Sequence, residues 1–190
     1  MRLVTFALLA TAALGLTACH RGPSVDLNNA TPAEVSKAIK AGGAGLALVR
    51  PGKWSSTVTI AAIDTARLSP IAAAGLNAQV GKPHTTEACI TPELVNNPER
   101  MLARVPANCR YEHYRMGGGQ LDGHLVCSGG GGAYGQDMTV KGTYGNDQYG
   151  MTIATITKAG PEEAAFLSSL SSTMKVSAHR LGDCDAKTAG

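Results

Sequence analysis

Three groupings in this 190-residue chain have side chains of the kind that chemistry needs. The first is Glu112 with His124, on two strand-like runs mirrored about Gly117-Gly118-Gly119. If Met116 pairs with Gln120, Glu112 lies opposite His124 and Tyr114 opposite Asp122. A carboxylate beside an imidazole can serve acid–base chemistry, although such a pair is more often a solvated cross-strand contact worth roughly 0.2–1 kcal/mol. In that register His113 joins Tyr111, Leu121 and Leu125 on the other face, where a core histidine is the ordinary expectation. The second grouping is His84-x4-Cys89 with His179-x4-Cys184. It would bring two imidazoles to two sulfurs if those cysteines meet. Zinc accepts Cys2His2 sets, but at other spacings, and an oxidising compartment makes a disulfide of such thiols instead. The third is an apolar pocket between the core face of a sheet and a helix near Phe166.

The familiar signatures are missing. No Gly-x-Ser-x-Gly elbow, Cys-x-x-Cys redox pair or His-Glu-x-x-His metal helix occurs. Gly81-Lys82 resembles the end of a phosphate loop, but the spacing and the required Ser or Thr are wrong. Gly130, Gly132 and Gly135 formally match the dinucleotide fingerprint, which needs a following helix, whereas Asp137 to Gly142 reads as a strand. The expectation is therefore no catalytic residue set, no cofactor and no metal.

The elements that would position these residues are mostly strands. Cys109 to Cys127 reads as a β-hairpin clamped by a disulfide, with the two cysteines directly opposed. From Gly52 to Ile63, Trp54, Val58, Ile60 and Ala62 alternate with polar residues, and Trp54 is the expected core anchor. A second hairpin turns at Asn146-Asp147, placing Tyr144, Val140 and Met138 opposite Tyr149, Ile153 and Thr155. Thr91-Pro92 and Asn97-Pro98 each open a short helical turn. A helix from Pro161 bears Phe166, Leu167 and Leu170, and a last strand runs from about Thr173 to Leu181. The expected fold is mainly β (α+β), an antiparallel meander forming a curved sheet or open barrel, with short peripheral helices and two disulfides. Four cysteines beyond Cys19 allow three connectivities. Hairpin geometry selects Cys109 with Cys127 and leaves Cys89 with Cys184.

The amino terminus speaks to location. Arg2 is followed by an apolar run, Leu3 to Leu16, too short to span a bilayer, and by Leu16-Thr17-Ala18-Cys19. This looks like a bacterial lipobox, in which the chain is cut before Cys19 and that residue is acylated. Residues 1–18 are then a signal peptide, 19–30 a flexible tether and 31–190 a single domain. Thr31, Pro32 and Glu34 form a capping box that opens a helix. A net charge of +3 with no like-charge run gives no support for nucleic acid as a partner. His20 stands where some bacteria place Asp to retain lipoproteins in the inner membrane, which favours the outer membrane.

Five marks then line up: Pro51-Gly52-Lys53-Trp54, Cys89-Ile90-Thr91-Pro92, Cys109, Cys127 and Arg180-Leu181-Gly182-Asp183-Cys184. Together they resemble the DUF3617 family, a domain of unknown function found in small exported proteobacterial proteins, often lipoproteins. The resemblance implies class and compartment and brings no activity with it. The expected function is a non-catalytic cell-envelope lipoprotein, facing the periplasm, that is held to the membrane by Cys19 and binds a lipid-like molecule or another envelope protein. The alternative is a hydrolase or metal-dependent enzyme using Glu112 and His124, or the His84, Cys89, His179 and Cys184 set.

Overall fold

The computed structural model describes residues 24–42, 49–97, 105–129, 135–158 and 170–184. Eight strands form one antiparallel sheet, open and curved: β1 (Ser24–Ala30), β2 (Gly52–Ile63), β3 (Pro83–Ile90), β4 (Cys109–Gly117), β5 (Gln120–Cys127), β6 (Gly135–Tyr144), β7 (Gln148–Lys158) and β8 (Leu170–Gly182). Their spatial order is β1-β4-β5-β6-β7-β8-β2-β3, so β4 to β8 run as a meander while β1 and β3 form the edges. Three short helices, α1 (Pro32–Gly42), α2 (Pro70–Asn77) and α3 (Pro92–Asn96), complete the described chain. No helix among the described residues is long and apolar enough to cross a membrane. The mainly β fold, its short helices and both disulfides are as the sequence leads one to expect.

Two compact cores anchor the sheet. The larger joins Val25 and Ala30 of β1 to Val35 of α1, and both to Tyr111, Tyr114, Met116, Leu121 and Leu125 of the β4–β5 hairpin. The capping box holds α1 at the end of β1: the Thr31 amide donates to Glu34 Oε2 at 2.7 Å and the Glu34 amide to Thr31 Oγ1 at 3.2 Å. The smaller core centres on Trp54, buried with Val49 and Ala178. The Trp54 indole N–H donates to the Arg50 carbonyl at 3.0 Å, and its ring lies 5.8 Å from that of Tyr149. Trp54 is thus the anchor its position suggests, with its polar atom satisfied.

The expected tether is corrected by β1. Residues Ser24–Ala30 are not a flexible linker but an edge strand paired with β4 from Ser24↔Gly117 to Ala30↔Tyr111. Its inward pattern is only Val25, Leu27 and Ala30. Alternation breaks at Asn29, whose φ of 51° re-aims the chain so that Ala30 faces the core. Asparagine tolerates this left-handed conformation better than most residues.

The β4–β5 register is corrected as well. The hairpin turns on two residues, Gly118 and Gly119, both at positive φ (58° and 75°), and pairs Gly117 with Gln120. Positive φ at both central positions is what the tightest hairpin turns demand. This shifts every pair by one, placing Met116 opposite Leu121 and Tyr114 opposite Gly123, until a bulge at Glu112 restores Tyr111↔Leu125 and Cys109↔Cys127. The cysteines are opposed as expected, but through a shorter turn and a compensating bulge. The same bulge moves His113 from its expected place beside Tyr111 to the outer face.

The β6–β7 hairpin has the expected register, with Tyr144↔Tyr149, Val140↔Ile153 and Met138↔Thr155. Leu170 begins β8 rather than ending a helix. The helix proposed from Pro161 with Phe166 and Leu167, and the segment up to Cys19, lie outside the described residues.

Candidate functional site

The outer face of β4, β5 and β6 gathers the chain's polar chemistry around His124. Glu112 reaches it from the β4 bulge, with Oε2 2.9 Å from Nδ1, and Asp137 reaches it from β6, with Oδ1 2.7 Å from Nε2. Beside it, His113 Nε2 lies 3.0 Å from Asp122 Oδ1, and the two imidazoles stand 5.9 Å apart. Lys158 approaches Asp137 at 3.8 Å and Lys141 approaches Asp122 at 3.9 Å, while Arg115 Nε lies 3.3 Å from Asp26 Oδ1. The hydrogen bond from His113, aided by Lys141 and Arg115, holds the Asp122 carboxyl below the usual carboxylate range.

This arrangement limits what His124 can do. A general base or a metal ligand needs a ring nitrogen with a free lone pair. Nδ1 and Nε2 of His124 each have a carboxylate oxygen within 3 Å, so a substrate or metal would have to displace Glu112 or Asp137 to reach either nitrogen. The cluster is a ladder of carboxylate–imidazole contacts crossing three strands. Among the described residues, no group of three or more His, Cys, Asp or Glu is placed to hold a metal ion. The sequence pairing of Glu112 with His124 is met in space although their registers differ. Asp137 was missed, because the glycine break between β5 and β6 hides their pairing from a local reading.

The His84, Cys89, His179 and Cys184 set does not assemble. Cys89 and Cys184 are bridged, with Cα atoms 5.7 Å apart. His84 is opposite Val58 and His179 opposite Ser55 on the intervening strand β2. Those two positions are three residues apart, so the imidazoles project from opposite faces of the sheet. The second bridge, Cys109 to Cys127, closes the far end of the β4–β5 hairpin.

Near the Cys89–Cys184 bridge the chain makes a tight latch. Arg180 Nε donates to the Pro51 carbonyl at 2.9 Å, and its guanidinium also contacts Asp183. It lies across Gly52, whose φ is 146° and where an added Cβ would fall 2.3 Å from Arg180 Nε and 2.5 Å from the Gly182 carbonyl oxygen. The marks around Gly52, Cys89 and Arg180 thus meet at one corner as architecture, with Trp54 packed behind them.

The DUF3617 profile, described as a protein of unknown function, matches residues 49–184. The chain belongs to the DUF3617 family. The matched segment holds β2 to β8, both disulfides and the whole His124 cluster, whereas β1 and α1 precede it. In this DUF3617 protein the preceding strand and helix nonetheless supply Val25, Ala30 and Val35 to the larger core. Comparison with curated proteins and with solved structures returned no match.

The helix near Phe166 that the third grouping needs lies outside the described residues, and its sheet face alone is described. Val140, Ile153, Met174 and Ile60 lie in one cross-strand row, and Met151, Val176 and Val58 in the next. The opposite face carries a hydroxyl row, Thr143, Ser177, Thr57 and Thr85, broken by Gly150.

Proposed function

We propose that this DUF3617 protein is a non-catalytic cell-envelope lipoprotein, fixed to the membrane through Cys19, whose stapled sheet binds a lipid-like small molecule or another envelope protein. The observation that carries the reading is the pairing of the cysteines. Four of the five are joined as Cys89–Cys184 and Cys109–Cys127, which leaves Cys19 with no cysteine partner, at the end of Leu16-Thr17-Ala18-Cys19. Two disulfides suit an exported fold. A single leftover cysteine after a short apolar run suits acylation, and several acyl chains on one residue exceed what stable anchoring requires.

The binding role draws on the sheet face that carries Met151, Ile153, Met174 and Val176. Methionines there give a soft, adaptable apolar surface. The non-catalytic part draws on His124, whose ring nitrogens are both engaged. His20 after the cysteine favours the outer membrane as destination.

Labelling cells with radioactive palmitate and fractionating their membranes tests the anchor. Wild-type protein should carry label and sediment with membranes, and Cys19→Ser should lose both. Equal labelling of the two would refute the lipoprotein reading.

A further inference from the structure

We infer that the corner of the sheet made by the start of β1 and the β4–β5 turn rests against the phospholipid headgroups of the bilayer that holds the lipid anchor. The inference rests on the lipoprotein reading of Cys19 and adds an orientation to it. Ser24, the first residue of β1, follows Cys19 by five positions. A fully extended chain spans at most about 3.3–3.6 Å per residue, so Ser24 can stand no more than roughly 18 Å from the acylated residue. A conventional tether of a dozen residues, as residues 19–30 would have been, would let the domain turn freely. The pairing of β1 with β4 removes that freedom, because a short leash now ends on a strand built into the sheet.

The register says what lies at the leash's end. Ser24 is opposite Gly117, and Val25 opposite Met116, so the turn at Gly118-Gly119 is the nearest part of the fold. A shallow depression of about 480 Å³ at this corner is lined by Val25, Asp26, Arg115, Met116, Gly118 and Gln120. The tip itself carries no bulky side chain, and a Cβ at Gly118 would meet nothing within 4 Å. A flat layer can therefore approach the backbone closely. Arg115 supplies a guanidinium able to hold a phosphate oxygen, while its pairing with Asp26 keeps the corner from being strongly charged. Gln136, opposite Cys127, and its neighbour Gly135 lie at the other end of the same strands, roughly 25 Å away by strand rise. The end bearing the Cys109–Cys127 bridge is accordingly the end that faces away from the membrane.

The test uses the full, processed protein in nanodiscs that contain a lipid spin-labelled on its headgroup. Paramagnetic broadening should remove most of the Gly118 and Gly119 amide signals and leave the Gly135 signal largely intact. Inserting about 20 Gly/Ser residues between Pro23 and Ser24 adds a coil of roughly 25 Å root-mean-square span and should restore at least half of the lost intensity. Equal broadening at Gly118 and Gly135, or no recovery with the longer leash, in protein whose mass shows the acyl chains, would overturn the orientation and leave the lipoprotein reading standing. Protein that carries no lipid on Cys19 and fails to stay with the discs would overturn both.

Discussion

Asn29 on β1 stands across from Glu112 on β4, and the two are the residues by which their strands locally outrun β5. The β1–β4 ladder steps evenly past them, from Asn28↔His113 to Ala30↔Tyr111, whereas the β4–β5 ladder jumps from His113↔His124 to Tyr111↔Leu125. One strand's bulge is thus matched by its neighbour's positive-φ residue. Arg110 fastens the spot through Nε to Asn29 Oδ1 at 2.7 Å.

Deleting Glu112 alone should leave Asn29 without a counterpart and lower stability by about 0.5–3 kcal/mol, the ordinary range of a damaging change. Deleting Asn29 and Glu112 together should recover at least half of that loss, because both ladders become regular and Cys109 still meets Cys127. Urea midpoints of the three proteins decide it; a double deletion less stable than the single one would contradict the matched register.

Gly52→Ala should be costly although it adds one methyl group. The conformation at φ 146° is one that glycine alone takes readily, and the Cβ would fall on Arg180 and the Gly182 carbonyl. A loss of about 1–3 kcal/mol is expected. Adding Arg180→Ala should relieve the side-chain clash and leave the backbone cost, so thermal melts of the single and double variants separate the two.

The two bridges should differ in worth. Loop lengths of 95 and 18 residues correspond, on the chain-entropy account, to about 4–5 and about 3 kcal/mol respectively. Replacing Cys89 and Cys184 by Ser should therefore lower the urea midpoint more than replacing Cys109 and Cys127. Non-reducing peptide mapping of the wild type should show these two pairs and no Cys109–Cys184 link.

Alkaline stability should be limited by the tyrosines packed in the larger core, where Tyr111 and Tyr114 meet edge to face. Burial raises the phenols of Tyr111, Tyr114 and Tyr144, that of Tyr114 most, with Tyr111 and Tyr144 adding to it. A raised folded value means that stability is fully present below the unfolded phenol value of about 10 and falls as pH climbs above it. Tyr114→Phe should make that fall shallower at the expense of its contact with the Met116 sulfur, which lies 3.4 Å from the hydroxyl. Unfolding free energies measured between pH 8 and 11 would show an unchanged slope if the prediction fails.

No single histidine should be needed for function. His84, His113, His124 and His179 changed one at a time to Ala should restore a deletion strain when compared at equal protein abundance, since loss of folded protein would imitate loss of activity. A His124→Ala protein that accumulates, folds and bridges its cysteines yet fails to restore the strain would make the Glu112–His124–Asp137 cluster an active site and defeat the non-catalytic reading.

The parts legible in the sequence are those whose signals are local. Asn146-Asp147 allows one tight turn, so the Gly145–Gln148 register follows; Trp54 has an apolar stripe around it; and cysteines flanking a hairpin point to each other. Gly117-Gly118-Gly119 permits either a two- or a three-residue turn, and a bulge resets the two-residue period, so the choice was invisible and His113 was placed on the wrong face. β1 was hidden because it has few inward apolar residues and takes its form from β4. β3 is exposed along most of its length and shows no alternation to read. Of the candidate site, Glu112 and His124 were legible as a pair, while Asp137 and Lys158 arrive through strand pairings that no short spacing encodes.

The order in which the strands are made has a consequence for the export proposed above. β2 pairs with β8, and the Arg180–Pro51 hydrogen bond joins residues 129 positions apart. Such distant pairing makes for slow folding. On that reading one flank of β2 must wait, unpaired, until the last strand has crossed the membrane, and an unpaired strand flank is a template for aggregation. The β4–β5 hairpin, at the other side of the sheet, can close and oxidise early by itself, whereas the Cys89–Cys184 link records the arrival of the carboxyl-terminal strand. A chain stopped before residue 170 should therefore emerge with its first bridge made and its sheet unsealed, and quality-control proteases would meet it in that state.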